Sequence, residues 1–185
     1  GGVDPLISLG PKRIALAANE TEDGAHLARL DAYRHTMKAH GLADERLVFR
    51  VPARRLDGAQ LMRKMMSLSL PPTAVYIADP LTAEGAINEA HKLGVRIPDE
   101  LSILGFDDTD TRHAVYPTMT AICQDSSELG QLAYELLLRQ CVLPSTPLET
   151  NGLGKAWLEI NHTTGRVPEK SIRILPNGER LAVAV

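Results

Sequence analysis

The chain has 185 residues, 44% of them hydrophobic and 23% charged, with a formal net charge of -3. That composition supports a sizeable core in one domain or two small ones, but leaves no positive surplus to neutralise a run of phosphates, so contact with DNA is expected through residues other than these. No stretch approaches the ~20 consecutive apolar residues of a membrane span, and the opening Gly1-Gly2-Val3-Asp4-Pro5 is no signal-peptide pattern, which excludes a membrane partner and points to the cytoplasm.

In chain order, short apolar runs alternate with longer amphipathic segments, the pattern of βαβ units around a parallel sheet, and four such strands are expected. Arg13 to Ala18 reads as the first, followed by a helix from about Asp23 to His40 with Leu27, Leu30, Tyr33 and Met37 at helical spacing and Gly41 at its stop. Leu47 to Val51 is the second strand. The next helix, roughly Gly58 to Leu68, carries Leu61, Met62, Met65 and Leu68 on one stripe, methionines that fill core rather than bind metal. After Pro71-Pro72, Thr73 to Ile77 is the third strand, and its helix is punctuated by Asp79 as N-cap, Pro80 at the first position and Gly94 at the stop.

Leu101 to Phe106 is the fourth strand, ending in Asp107-Asp108. A long polar loop to Pro117 then leads to a short strand around Thr120-Ala121-Ile122. Asp125-Ser126-Ser127-Glu128 has capping-box spacing and opens a helix to about Gln140, whose Leu129, Leu132, Ala133, Leu136 and Leu137 need a partner surface. Beyond Pro144, Trp157 to Ile160 reads as an edge strand, and Ser171 to Leu175 with Arg180 to Val185 as a pair turning at Pro176-Asn177-Gly178.

In an open parallel α/β sheet the residues that follow the strands gather along one edge, where ligands bind. Here those are Asn19 and Glu20, Pro52 to Arg55, Asp79, and Asp107 with Asp108. Carboxylates that accept from adjacent hydroxyls, beside a guanidinium that donates a planar pair, suit a polyol or sugar. Asp79 before Pro80 is equally what helix capping selects, Asp107 and Asp108 equally what closes a strand, and Arg29 alone reads as a solvated helix residue. Paired carboxylates can also do acid–base work. No nucleophile elbow, phosphate loop, dinucleotide fingerprint or metal triad accompanies them, and Cys123 and Cys141 form no metal-ligand or disulfide pattern, so no catalytic residue, cofactor or metal is expected.

Pro72 to Tyr76, Ala83 to Ile87 and the run from Leu93 to Asp108 resemble, as an ordered series, the LacI/GalR family of transcription regulators. The likeness extends back through Leu9 to Ala15 and Arg29 to Arg34 and forward to Gly130, covering about residues 6 to 140. It implies a type I periplasmic-binding-protein-like fold, a three-layer α/β/α architecture with a mostly parallel sheet, of which this chain holds mainly the second subdomain plus a segment that crosses back to the first. The division implied is 1–123 as the effector-binding subdomain, 124–150 as the crossing helix and linker, and 151–185 as a C-terminal extension with strands.

The resemblance also implies a homodimer that senses a sugar-like effector, contacts DNA only through an N-terminal helix-turn-helix segment not found in these residues, and is no enzyme. A periplasmic-type solute-binding protein for sugars is the alternative. Carried over by position, Arg29, four before Tyr33, and Asp107, the first Asp after Gly105-Phe106, are effector-binding residues, joined by Asp79, Asn19 and Gln124. Asp79 stands where the family has Asn. Ala53 stands where an aromatic often stacks on a sugar, and the following Arg54-Arg55 leaves room for a phosphorylated or acidic effector. Subunit contacts are expected on the helix from Pro80 to Leu93 and the loop from Arg112 to Tyr116.

Overall fold

The computed structural model describes residues 4–10, 13–21, 23–107, 109–142 and 155–184. Five parallel strands carry the chain: β1 (Ile14–Asn19), β2 (Val48–Val51), β3 (Ala74–Ile77), β4 (Ser102–Asp107) and β5 (Thr120–Gln124). With β6 (Ala156–Glu159) they form a six-stranded sheet in the order β2-β1-β3-β4-β5-β6. Only the β5–β6 pair is antiparallel. The run around Thr120, short in the sequence, is thus a full fifth member of the parallel set. Every residue of β1, β3 and β4 is buried, as expected of strands covered on both faces.

Side-chain alternation divides the core between the two faces of the sheet. Ile14, Leu16, Tyr76 and Leu104 pack under α2 (Gly24–Ala39) through Leu30, Tyr33 and Met37, joined by Leu6 of the short α1 (Asp4–Ile7). Ala15, Val75, Ile77 and Ile103 pack under α3 (Arg55–Ser67) and α4 (Pro80–Lys92). The methionine stripe Met62, Met65 and Met66 is core, fully buried. Burial of each such side chain contributes about 1.5–3 kcal/mol.

Helix ends follow the local chemistry. Asp79 Oδ1 accepts from Thr82 N at 2.9 Å with Pro80 at the first position, and Asp23 Oδ1 accepts from His26 N at 3.0 Å. Gly41 takes a φ of 69° after α2, and Leu42 N closes the stop on Met37 O at 2.8 Å. The third helix starts at Arg55, three residues before Gly58, because Asp57 in its first turn pairs with Arg54 and complements the helix dipole. Gly58 instead lets α3 approach α4: a Cβ there would strike the Thr82 carbonyl, and one at Gly85 the Arg55 carbonyl.

Three further features depart from the expected pattern. Glu45–Leu47 forms a 3-10 turn before β2, capped by the Asp44 side chain. Inside the long polar loop lies a short helix, α5 (Thr111–Ala114). On α4, Ala83, Ala86, Ile87 and Ala90 are fully buried under the sheet and α3, so the apolar face of that helix is core. Tyr116, 83% exposed and stacked beside the exposed His91, is the large apolar side chain left accessible on the helix and loop where subunit contacts are expected.

α6 (Ser126–Val142) is amphipathic but has no buried residue. The C-terminal stretch returns first as β6, at the far edge of the sheet, and then as a separate antiparallel ribbon of β7 (Lys170–Ile174) and β8 (Arg180–Ala184). Ile174 enters the α3–α4 core, and Arg180 Nη2 donates to both oxygens of Glu100 at 2.6 Å, which anchors the ribbon. Asp108 and Val185 lie outside the described residues, as do 143–154.

Candidate functional site

The strand order reverses between β1 and β3, and the crevice outside the carboxyl ends of strands at such a switch is where open α/β sheets bind ligands. A cleft of ≈ 430 Å³ occupies that position. Its walls come from the N-cap and first two turns of α2 (Asp23, His26, Arg29), the turn from β3 into α4 (Ala78, Asp79, Pro80), and the end of β4 with the residues just beyond it (Phe106, Thr109).

Arg29 is fixed from three sides. Its Nη1 donates to Ala78 O at 3.1 Å, the same nitrogen lies 3.5 Å from His26 Nδ1, and the guanidinium carbon sits 3.7 Å from the centroid of the Phe106 ring. A cation over an aromatic face contributes about 0.5–2 kcal/mol and holds the planar donor fork in one orientation. Asp79 lines the same cleft. Its Oδ1 is engaged by Thr82 N and by Thr82 Oγ1 at 3.0 Å, while no hydrogen bond to Oδ2 is found among the described residues. A cavity of ≈ 270 Å³ adjoins the cleft through the shared Arg29 and Phe106, and Gln124, Ile122, Tyr76 and Tyr33 line it. Burial pushes the Tyr76 hydroxyl up to about 12, and Tyr33 donates to Ile14 O at 2.7 Å, so neither phenol ionises near neutrality.

Of the five residues singled out in the sequence, Arg29 and Asp79 face one cleft and Gln124 the adjoining cavity. The other two serve the backbone. Asn19 Oδ1 accepts from Thr21 N at 3.0 Å and Thr21 Oγ1 at 2.9 Å, closing the turn after β1. Asp107 is 0% exposed: Oδ1 accepts from Thr109 N, Thr109 Oγ1 and Thr111 N, and Oδ2 from Arg112 N and Arg112 Nη1 at 3.0 and 2.9 Å. Burial pushes its carboxyl up, but the N–H groups of Arg112, Thr109 and Thr111 and the Arg112 guanidinium outweigh burial and hold it below the usual Asp range. Arg54 and Arg55 pair with Asp57 at 2.8 Å and Glu84 at 2.7 Å and do not line this cleft.

Phe106, His26 and Thr109 were not singled out in the sequence. Phe106 had a signal, as the aromatic that ends a buried strand before the edge; His26 and Thr109 had none beyond lying one turn into a helix and two residues past a strand. No cluster of His, Cys, Asp or Glu that could hold a metal exists among the described residues, and no helix among them is long and apolar enough to cross a membrane.

Residues 3–153 match the family model described as "Periplasmic binding protein-like domain". The chain is 33% identical over 139 residues to the "HTH-type transcriptional repressor CytR" of Escherichia coli (strain K12), covering 75% of this chain and 41% of that protein. Among solved structures, a LacI family transcriptional regulator from Mycobacterium smegmatis superposes with a TM-score of 0.77 at 26% identity, over 89% of this chain and 61% of that one. A "transcriptional regulator CelR-cellobiose complex" superposes with a TM-score of 0.78 at 26% identity, over 86% and 49%. The chain spans less than half the length of the curated repressor it matches. It belongs to the periplasmic binding protein-like domain family and is homologous to the corresponding region of LacI-type transcriptional repressors.

Proposed function

We propose that this chain is the effector-sensing domain of a LacI-type DNA-binding transcription regulator, which takes a small sugar-like molecule in the cleft between α2, α4 and β4. The observation that carries this reading is the convergence of the Arg29 guanidinium, the Asp79 carboxylate and the Phe106 ring on one cleft at the strand-order switch. A planar donor pair, an acceptor oxygen and a ring face together match the hydroxyls and C–H faces of a sugar. The CelR structure, a cellobiose complex, supports the sugar class, and likeness to the repressor CytR favours regulation over solute capture or catalysis.

In this reading the effector binds two arrangements of the regulator with different affinity and so shifts operator occupancy. DNA contact belongs to a helix-turn-helix segment outside these residues, in keeping with the net charge of -3. The protein acts as a cytoplasmic homodimer. Residues 1–123 form the effector-binding body, 124–150 the segment that crosses to another subdomain, and 151–185 the C-terminal part, of which β6 pairs with the body.

A thermal-shift screen of cellobiose, D-ribose and nucleosides tests the reading. A ligand at about 100 times its Kd adds about 2.7 kcal/mol, a rise of roughly 5–10 °C for a chain of this size. At least one compound is expected to raise the melting temperature of the wild type and not of Arg29→Ala. A rise that survives Arg29→Ala contradicts the assignment.

A further inference from the structure

Carboxylates of the chain itself stand at the positions along this edge that would attract an anion. A helix N-terminus presents unpaired N–H groups and a partial positive charge, the usual seat for a phosphate or carboxylate. Both helices that open on the cleft place their own carboxylate at that seat: Asp23 Oδ1 takes the N–H of His26 at the start of α2, and Asp79 Oδ1 takes that of Thr82 at the start of α4. In the loop beyond β4, Asp107 takes the N–H groups of Thr109, Thr111 and Arg112. The cations nearest the edge are engaged as well, Arg112 with Asp107, Arg55 with Glu84 and Arg54 with Asp57. Among the described residues Arg29 is the single Lys or Arg on the cleft wall, against two carboxylates, Asp23 and Asp79.

We infer that this cleft rejects anionic effectors and accepts uncharged or amine-bearing hydroxyl compounds, with Asp23 and Asp79 as its selectivity residues. The inference rests on the reading of the cleft as the effector site and adds what class of effector it takes. A phosphorylated sugar entering here would meet two carboxylates, each already holding one N–H of its own helix start. An unphosphorylated sugar meets an acceptor in Asp79 Oδ2 and a donor in Arg29.

The test follows the amide signals of His26 and Thr82 in the 15N-labelled chain during titration with inorganic phosphate, D-ribose 5-phosphate and, separately, D-ribose and cellobiose. In the wild type neither phosphate compound is expected to move these signals. The pair Asp23→Gly with Asp79→Gly removes both charges and frees both N–H groups at a residue type that helix N-caps tolerate, and it is expected to gain phosphate affinity by about tenfold or more. The pair Asp23→Asn with Asp79→Asn keeps both caps, removes only the charges and is expected to gain less; it carries the test if the glycine pair fails to fold. Wild-type signals that respond to phosphate or ribose 5-phosphate, or folded variants that gain nothing, would overturn the inference. If D-ribose and cellobiose leave the cleft unmoved while the variants gain phosphate, the selectivity stands and the sugar-sensing reading loses its support.

Discussion

Asp107 and Arg29 both border the functional edge, yet they divide its tasks. Asp107 gathers three backbone N–H groups and Arg112 into one loop, which places Thr109 and α5, while Arg29 presents a guanidinium to the cleft. Because the folded chain holds the Asp107 proton less tightly than the unfolded one, its stabilisation is fully present above the ordinary Asp value of about 3.9 and is lost as pH falls through the lower folded value. Asp107→Asn is therefore expected to cost about 1–3 kcal/mol at neutral pH, since it sets an amide NH2 among N–H donors that lose their charged acceptor, while Arg112 keeps Glu159 and Asp110. The gap between wild type and variant in urea midpoint should narrow as the pH drops below 4. A gap that is unchanged with pH would show that the carboxylate charge is not what holds the loop.

Position after a strand was enough to select Arg29's neighbours in the sequence, since every parallel strand delivers its next residue to the same edge. What a side chain does there was not legible. Asn19 and Asp107 have the residue types of ligand contacts and also those of turn formers, and only their hydrogen bonds to Thr21 and to the 109–112 backbone separate the two uses. Phe106 under Arg29 is a contact between residues 77 apart in sequence, which no local pattern encodes.

At the scale of elements, the α3–α4 contact is the most demanding. Each helix brings a glycine against the other's backbone, Gly58 at the Thr82 carbonyl and Gly85 at the Arg55 carbonyl. Helix propensity alone favours Gly85→Ala by about 1 kcal/mol. The collision with backbone is expected to reverse the sign, with a net loss of about 2 kcal/mol or more in urea denaturation; a stabilised variant would show that the two helices can separate without cost. Leu132→Ser on α6 provides the contrast. With no buried residue on that helix, a change within about 0.5 kcal/mol is expected in this chain, and a loss of 2 kcal/mol would mean the stripe is already packed.

Strands, helix caps and stops were readable because each rests on neighbours in sequence: alternation, Asp79-Pro80, Gly41. The start of α3 and the existence of α5 were not. Gly58 signals a break locally but answers to Thr82 across a helix interface, and α5 is held by a carboxylate four residues before it begins.

For the whole molecule, two questions follow from the fold: how copies associate and where the ligand sits. Ala86→Glu would not probe association, because the residue is fully buried and a carboxylate there would disrupt the core. Tyr116, 83% exposed beside His91, is the suitable site. In sedimentation the wild type is expected as a dimer and Tyr116→Glu as a monomer with an unchanged thermal transition; a variant that remains dimeric would move the interface elsewhere.

The cleft between α2, α4 and β4 as the effector site is what everything else depends on, and mapping a bound sugar onto the backbone amides tests it most directly. With whichever sugar or nucleoside stabilises the protein, the largest shifts are expected at His26, Arg29, Ala78, Leu81 and Phe106. Shifts concentrated instead at Lys64, Ser67 and Leu175, around the separate cavity under the C-terminal ribbon, would contradict it.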